Sequence, residues 1–138
     1  MTDFSRSEAA LLALRPTLSV AVSADDTPVA RFLHTTLRPV LKMQNQLLLA
    51  VVADFVRDYH VPLAAAAGTE QQRLLAELLS RNTKLRYLVI GLVLGQFTEP
   101  ELHLYRQHRP ELNRRILELA SRRVQDQAVV VAELSDAP

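Results

Sequence analysis

The segment from Leu85 to Phe97, LRYLVIGLVLGQF, constrains this chain more than any other. It holds the longest unbroken apolar run, Tyr87 to Gly95, and as a helix it places apolar residues on every side rather than along one stripe. A helix apolar all round is one that other segments bury. The pattern predicts an all-α, single-domain helical bundle of five or six helices, with a buried central apolar helix at about 84–97. Leu88, Ile90, Leu92 and Leu94 are then core residues. Gly91 and Gly95, four apart on one face, are points where another helix approaches closely.

A membrane-spanning helix needs roughly 20 apolar residues. This run is about half as long and is flanked by Arg86 and Gln96. The N-terminal MTDFSRSEAA also lacks a basic region followed by a long apolar one, the mark of a secretory leader. The expectation is a soluble, cytoplasmic chain with no membrane partner.

Composition agrees with helices. The chain has 138 residues, enough for one domain, and 49% are hydrophobic. Aromatics are scarce (four Phe, three Tyr, no Trp), so Leu, Ala and Val do the packing, and Leu and Ala favour helix. Three glycines, Gly68, Gly91 and Gly95, leave little material for hairpin turns or a phosphate-cradling loop. The absence of Cys excludes disulfides, thiolate metal sites and cysteine nucleophiles. All but two of the 16 basic residues (Lys42 and Lys84) are Arg, yet the 15 acidic residues leave a formal charge of only +1. Net charge gives no strong drive toward nucleic acid. The Arg bias fits interfaces and bidentate pairing, and a GC-rich genome produces it equally well.

Residues 1–27 read as an N-terminal arm. Ser5 or Ser7 caps a short helix at about 6–14, Pro16 ends it, and Leu18–Val22 has strand character without a second strand. Residues 28–138 form the bundle. Thr27-Pro28 is a helix start, with Thr as N-cap and Pro in the first turn. Helical spacing then runs from Phe32 to Tyr59. Pro39 falls inside it, where a kink or break is expected. Uninterrupted, residues 28–60 would span ~50 Å, against roughly 35–40 Å for the diameter of a compact domain of this length. Either the helix folds back or the molecule is elongated and calls for a partner chain. Gln44, among polar residues just after the Pro, either faces water or sets register from a buried position. Further helices are expected over 69–81, capped by Thr69 and stopped by a left-handed Asn82, and then over 84–97, capped by Thr83. A short helix capped by Thr98 follows and breaks at His108 or Arg109. A last one runs from Pro110 to Leu134.

Four groups of residues are candidates for function. Glu99 and His103 share a helix face and carry metal-ligand chemistry, but the Glu-x-x-His pairs of a bundle di-iron site are absent. Arg109, Arg114, Arg115, Arg122 and Arg123, with Arg106, form a basic belt. Against Glu111 and Glu118, six Arg leave +4 between His103 and Arg123, which suits phosphates. A helix-turn-helix drawn here would present Glu99 and Glu101 where bases are read, and Glu111–Arg115 and Glu118–Arg122 have the spacing of intrahelical pairs. Nucleic-acid binding is therefore an alternative and not the favoured reading. Asp54, Arg57, Asp58 and His60 could serve acid–base chemistry, though nothing marks a cleft. The fourth candidate is the apolar surface itself, including Val129, Val130 and Val131, which exceed one stripe.

No nucleophile elbow or catalytic constellation is written in the chain, no catalytic residue is assigned, and nothing calls for a cofactor. The expectation is a non-catalytic protein–protein interaction module, an adaptor or regulator that self-associates as a homo-oligomer, a dimer first of all. A transcription-associated nucleic-acid binder and a small-molecule or metal-binding bundle are the alternatives.

Overall fold

In the computed structural model, which describes residues 7–17 and 26–136, the first helix is α1 (Glu8–Ala13). Ser7 caps it, its hydroxyl accepting from the Ala10 N–H at 3.3 Å. Ser5 and Leu18–Val22 lie outside the described residues.

From Thr27 the chain enters a long helical run: α2 (Pro28–Phe32), a π-helical turn (Leu33–Leu37), α3 (Arg38–Met43) and α4 (Asn45–Asp58). Pro39 does not break it. A proline ring clashes with the carbonyl four residues back and offers no N–H to it. Here the turn before Pro39 is widened, with the Arg38 N–H bonding to the Leu33 carbonyl five residues back. A π-turn inserts into a helix without ending it. Gln44 departs locally from helical geometry, but Gln44 N–H still reaches the Val40 carbonyl and Leu48 N–H the Gln44 carbonyl, both at 2.9 Å.

The Gln44 side chain resolves the two roles left open for it. Its Nε2 donates to the Leu92 carbonyl at 3.0 Å. The last four carbonyls of a helix lack intrahelical partners, and the Gln96 N–H bonds to Val93 instead of Leu92. Gln44 thereby caps the end of a neighbouring helix from across the bundle.

After a loop around Pro62 come α5 (Gly68–Arg81) and α6 (Thr83–Leu94). Helix α5 starts a residue before the expected Thr69 cap, with Ala67 in the cap position. Asn82 is not left-handed. It is extended, with φ −85°, and is itself the cap of α6, its Oδ1 accepting from the Leu85 N–H at 3.0 Å. Thr98 opens α7 (Glu99–Gln107) through a capping box with Glu101. His108 separates α7 from α8 (Arg109–Asp126), whose first turn contains Pro110.

The expected final helix is two helices, with α9 (Ala128–Asp136) following a break at Gln127. The break is held from outside. Gln127 and Asn45 exchange side-chain amide hydrogen bonds at 2.9 and 2.8 Å. At the far end, the Arg57 guanidinium donates to the Leu134 and Ser135 carbonyls at 3.0 and 3.2 Å. These two anchor points run α9 parallel to α4 and pack the pair together.

The central element is α8, not α6. Helix α8 touches α4, α5, α6, α7 and α9, and it buries Leu112, Ile116, Ala120 and Val124 at fourfold spacing. Leu48, Leu49 and Val52 of α4, Leu75 and Leu79 of α5 and Val131 of α9 complete the main core. An aromatic cluster closes one end, with Phe32 edge-on to Phe97 (centroids 5.4 Å) and Phe97 edge-on to Tyr105 (6.2 Å).

Helix α6 is covered on one side only. Leu85, Val89, Ile90 and Val93 are buried, while Leu92 and Leu94 are half-buried. Tyr87 is 70% and Leu88 45% exposed, and Gly91 and Gly95 are exposed too. Of the expected core residues, Ile90 holds its place, Leu92 and Leu94 sit at the margin, and Leu88 is a surface residue. The physical reason is the distribution of cover: α4, α5 and α8 pack on one side of α6, while α9 packs on α4, α5 and α8 and leaves its own Val129 and Val130 exposed.

Candidate functional site

The uncovered side of α6 runs through Tyr87, Leu88 and Gly91. A methyl group added at Gly91 would meet nothing within 4 Å. The close helix approach that two glycines permit is therefore not used at Gly91 within the chain. At Gly95 the nearest atom to such a methyl is the Gly91 carbonyl oxygen, at 3.3 Å, so the tightness there is internal to this helix end.

Tyr87 also forms the wall of the largest concavity described, a groove of about 890 Å³ bounded by α5, α6 and α8. Leu117, Ser121 and Gln125 of α8 lie along it, and Arg86, Arg114 and Arg122 contribute its cations. The Arg86 guanidinium donates to the Leu79 and Ser80 carbonyls at 3.4 and 3.3 Å, closing the end of α5. Arg114 pairs with Glu118 at 3.1 Å. The groove is mixed, with Leu79, Ile90 and Leu117 among polar and charged neighbours, and tyrosine and arginine are residue types that dominate binding energy at protein interfaces.

The basic belt is distributed rather than gathered. Arg114 and Arg122 line the groove. Arg109 lies over the Tyr105 ring, 5.8 Å from its centroid. Arg115 reaches Glu118 at 3.6 Å, and its Nε is buried without a partner among the described residues. Arg123 turns toward α4 and donates to Asn45 Oδ1 at 3.1 Å. The expected Glu118–Arg122 pair is replaced, because Glu118 takes Arg114 and Arg115 instead. Glu111–Arg115 gives way with it.

Glu99 and His103 are both exposed on α7. The Glu99 N–H is capped by the Glu8 carboxylate at 2.9 Å, and a His103 ring nitrogen stands 3.2 Å from Gln107 Nε2. Among the described residues, no group of three or more His, Asp or Glu is placed to hold a metal. Asp54 and Asp58 are exposed on α4, where Asp54 lies 4.0 Å from Arg57. His60 adopts a left-handed backbone, φ 54°, in the turn that ends this helix. Arg57 and His60 both line a hollow of about 330 Å³ beside Pro62 and Ser135, and Asp54 and Asp58 are not part of its lining.

One polar cluster escaped the sequence reading. Arg15, just after α1, forms a bidentate pair with Glu101, both contacts at 2.6 Å, and donates to the Gln96 carbonyl at 2.6 Å. The two side chains are 7% and 15% exposed. The Thr36 hydroxyl in the π-turn donates to Glu101 at 3.0 Å, and the Thr98 N–H does so at 2.8 Å. Burial alone would raise the Glu101 pKa; the Arg15 guanidinium, the Thr98 N–H and the Thr36 hydroxyl overcome it and hold the carboxyl below its ordinary value. Because α1 buries none of its own residues, this pair is the main tether of the N-terminal helix. Its chemistry is structural: a saturated carboxylate facing a guanidinium leaves no position for a reacting atom.

Among the described residues no helix is long and apolar enough to cross a membrane. No family model, curated protein or solved structure matches the chain.

Proposed function

We propose that this chain is a non-catalytic helical interaction module, an adaptor or regulator, that self-associates through the outer side of α6. The observation that carries this reading is the mismatch between the helix and its cover. From Tyr87 onward helix α6 carries only apolar residues, yet one side alone is buried by the chain, and Tyr87 and Leu88 stand in solvent, with Lys84 a turn before Leu88 at the edge of the patch. An apolar patch of this kind on a folded chain marks an interaction surface.

The partner that fits best is a second copy. In a twofold dimer the same patch meets itself. Two α6 helices crossing at Gly91 would meet where neither carries a side chain to hold them apart, and Leu88 and Tyr87 of each would pack beside the crossing. A standard interface takes about 800 Å² from each partner. A 12-residue helix, ~18 Å long, offers less from one side, so the contact extends over the groove rim at Tyr87. The remaining groove, with Arg114 and Arg122, is then the surface left for a further partner.

The test is solution mass by light scattering after gel filtration, for the wild type and for Leu88→Glu. The expected result is a dimeric wild type and a monomeric variant that keeps its helical circular dichroism and unfolds cooperatively, with a melting temperature lower than the wild type's by the concentration-dependent contribution of the dimer contact. A wild-type monomer at all concentrations defeats the proposal. So does a variant that remains dimeric.

A further inference from the structure

The fold leaves open a second apolar helix face, on α9, and it does not depend on the α6 contact. Helix α9 turns Ala128, Val131 and Ala132 into the bundle. Helical spacing then gathers Val129, Val130, Glu133 and Leu134 on its other side, and all four are exposed, Val129 by 63%. This helix contains no basic residue. Its outer side is therefore an apolar face around one carboxylate, and none of it holds the chain together.

The groove between α5, α6 and α8 has the complementary character. Its α8 wall runs from Pro110 to Asp126, ~24 Å along a helix, against ~13 Å for the length of α9. Leu79, Ile90 and Leu117 give it apolar footing, and its charges are Arg86, Arg114 and Arg122 against Glu118 and Asp126. Glu118 is taken by Arg114 and by Arg115 from outside the groove. Asp126 stands at the last residue of α8. The Arg86 guanidinium donates to two carbonyls, which are neutral and leave its charge uncompensated. Arg122 has no acidic partner within 4 Å among the described residues, since Glu118 is turned to its neighbours. Two cations beside apolar footing are thus open to an incoming acid.

We propose that the outer face of α9 from one copy docks in the α5–α6–α8 groove of another. An amphipathic helix laid into a groove is anchored by apolar residues a turn apart, here Val130 and Leu134, and Glu133 between them answers Arg122. Charge selects this face over the other exposed ones. Helix α6 offers Tyr87 and Leu88 but carries Lys84 and no acid. Helix α1 offers Leu12 and Leu14 but commits Glu8 to the α7 N-terminus. The contact joins two different surfaces, so it links copies head to tail. One face of a nine-residue helix covers less than a standard interface, so this contact is weaker than the α6 dimer and builds on it at higher concentration.

The experiment measures solution mass by sedimentation equilibrium, from dilute to concentrated protein, for the full chain carrying Leu88→Glu, which removes the α6 contact. Val130→Asp, Arg122→Glu and Glu133→Arg are each added to that chain. All three positions are exposed, so the variants should keep the parent's melting temperature in dilute solution. The expected parent is monomeric when dilute and associates from roughly 0.1 mM upward, and each added substitution weakens that association about tenfold or more. An equimolar mixture of the Arg122→Glu and Glu133→Arg chains should regain the parent's association, because every groove then meets an α9 of opposite charge. A parent that stays monomeric throughout overturns the proposal. So does association that Val130→Asp leaves unchanged, or association that falls with Arg122→Glu and is not regained in the mixture, which would put a different surface in the groove. Failure of the α6 reading is separate: it appears in dilute solution, as a Leu88→Glu chain with the same mass as the wild type.

Discussion

Glu101 shows how much one side chain decides. It closes the α7 capping box, accepts from Thr36 in the π-turn and holds Arg15. Glu101→Gln keeps an acceptor for the Thr98 N–H, since Gln serves in a capping box, but removes the charge that Arg15 faces. Helix α1 buries no residue of its own, so Arg15 escapes to water by undocking α1 instead of unfolding the bundle. Losing a charged hydrogen bond of about 1.5–3 kcal/mol should speed amide exchange at Leu11 and Leu14 roughly 10- to 100-fold, with global unfolding little changed. Equal loss of protection throughout the core would contradict this. The same pair has a pH signature. The Glu101 carboxyl is depressed in the folded chain, so its contribution is complete above the ordinary glutamate value of 4.5 and is lost as pH falls through the lower folded value. Protection of α1, corrected for intrinsic exchange, should therefore drop on acidification below that value and be insensitive to pH in Glu101→Gln. Part of this was legible: Thr98 and Glu101 have the spacing of a capping box. Their partner was not, because Arg15 is 86 residues away from Glu101 and no local pattern records a contact made only by folding. Gln44 is similar. Its polarity beside Leu41 and Leu48 raised the question of burial, and only the Leu92 carbonyl across the bundle answers it. Gln44→Ala should cost about 1–2 kcal/mol in urea unfolding, the penalty for an unsatisfied carbonyl; a value near zero would mean that water replaces the amide.

Among the elements, α6 separates two kinds of apolar position that the sequence alone treats alike. Leu85 and Val89 are fully buried, while Leu88 lies between them in number and in solvent in space. Leu85→Ala should destabilise the fold by about 2–5 kcal/mol, a core truncation that leaves a cavity, whereas Leu88→Ala, at protein concentrations low enough for the chain to be monomeric, should change it by under ~0.5 kcal/mol. Thermal or urea unfolding of the two variants reads the difference directly, and comparable losses would mean that the two sides of α6 are equally covered. Helix starts were legible because their causes are local: Thr27-Pro28, Thr98 and Pro110 all open helices. The all-α class was legible for the same reason, in long runs of helical spacing. The irregularities depended on distant residues. Gln127 breaks the last helix without Pro or Gly because Asn45 holds its side chain, and Pro39 passes through the long helix because the preceding turn widens to admit it. Periodicity identified α6 as apolar all round; it carries no count of how many neighbours arrive.

For the whole molecule, the arrangement around α8 leaves the outer side of α6, with its adjoining groove, in solvent. This side is the basis of the proposed dimer, and it does not include the Arg15–Glu101 tether. The most direct measurement for the central claim uses the absence of cysteine from the chain. Gly91→Cys places a single thiol at the proposed crossing point, where the added side chain meets nothing within the chain, and a disulfide formed there can only join two copies. Bridging needs Cα atoms within about 7 Å, a distance that two α6 helices crossing at Gly91 would allow. Under mild oxidation at low protein concentration, Gly91→Cys should become a covalent dimer much faster than Thr69→Cys, a control at an exposed site on α5. Equal, slow rates for the two variants would contradict the account and return the outer side of α6 to solvent.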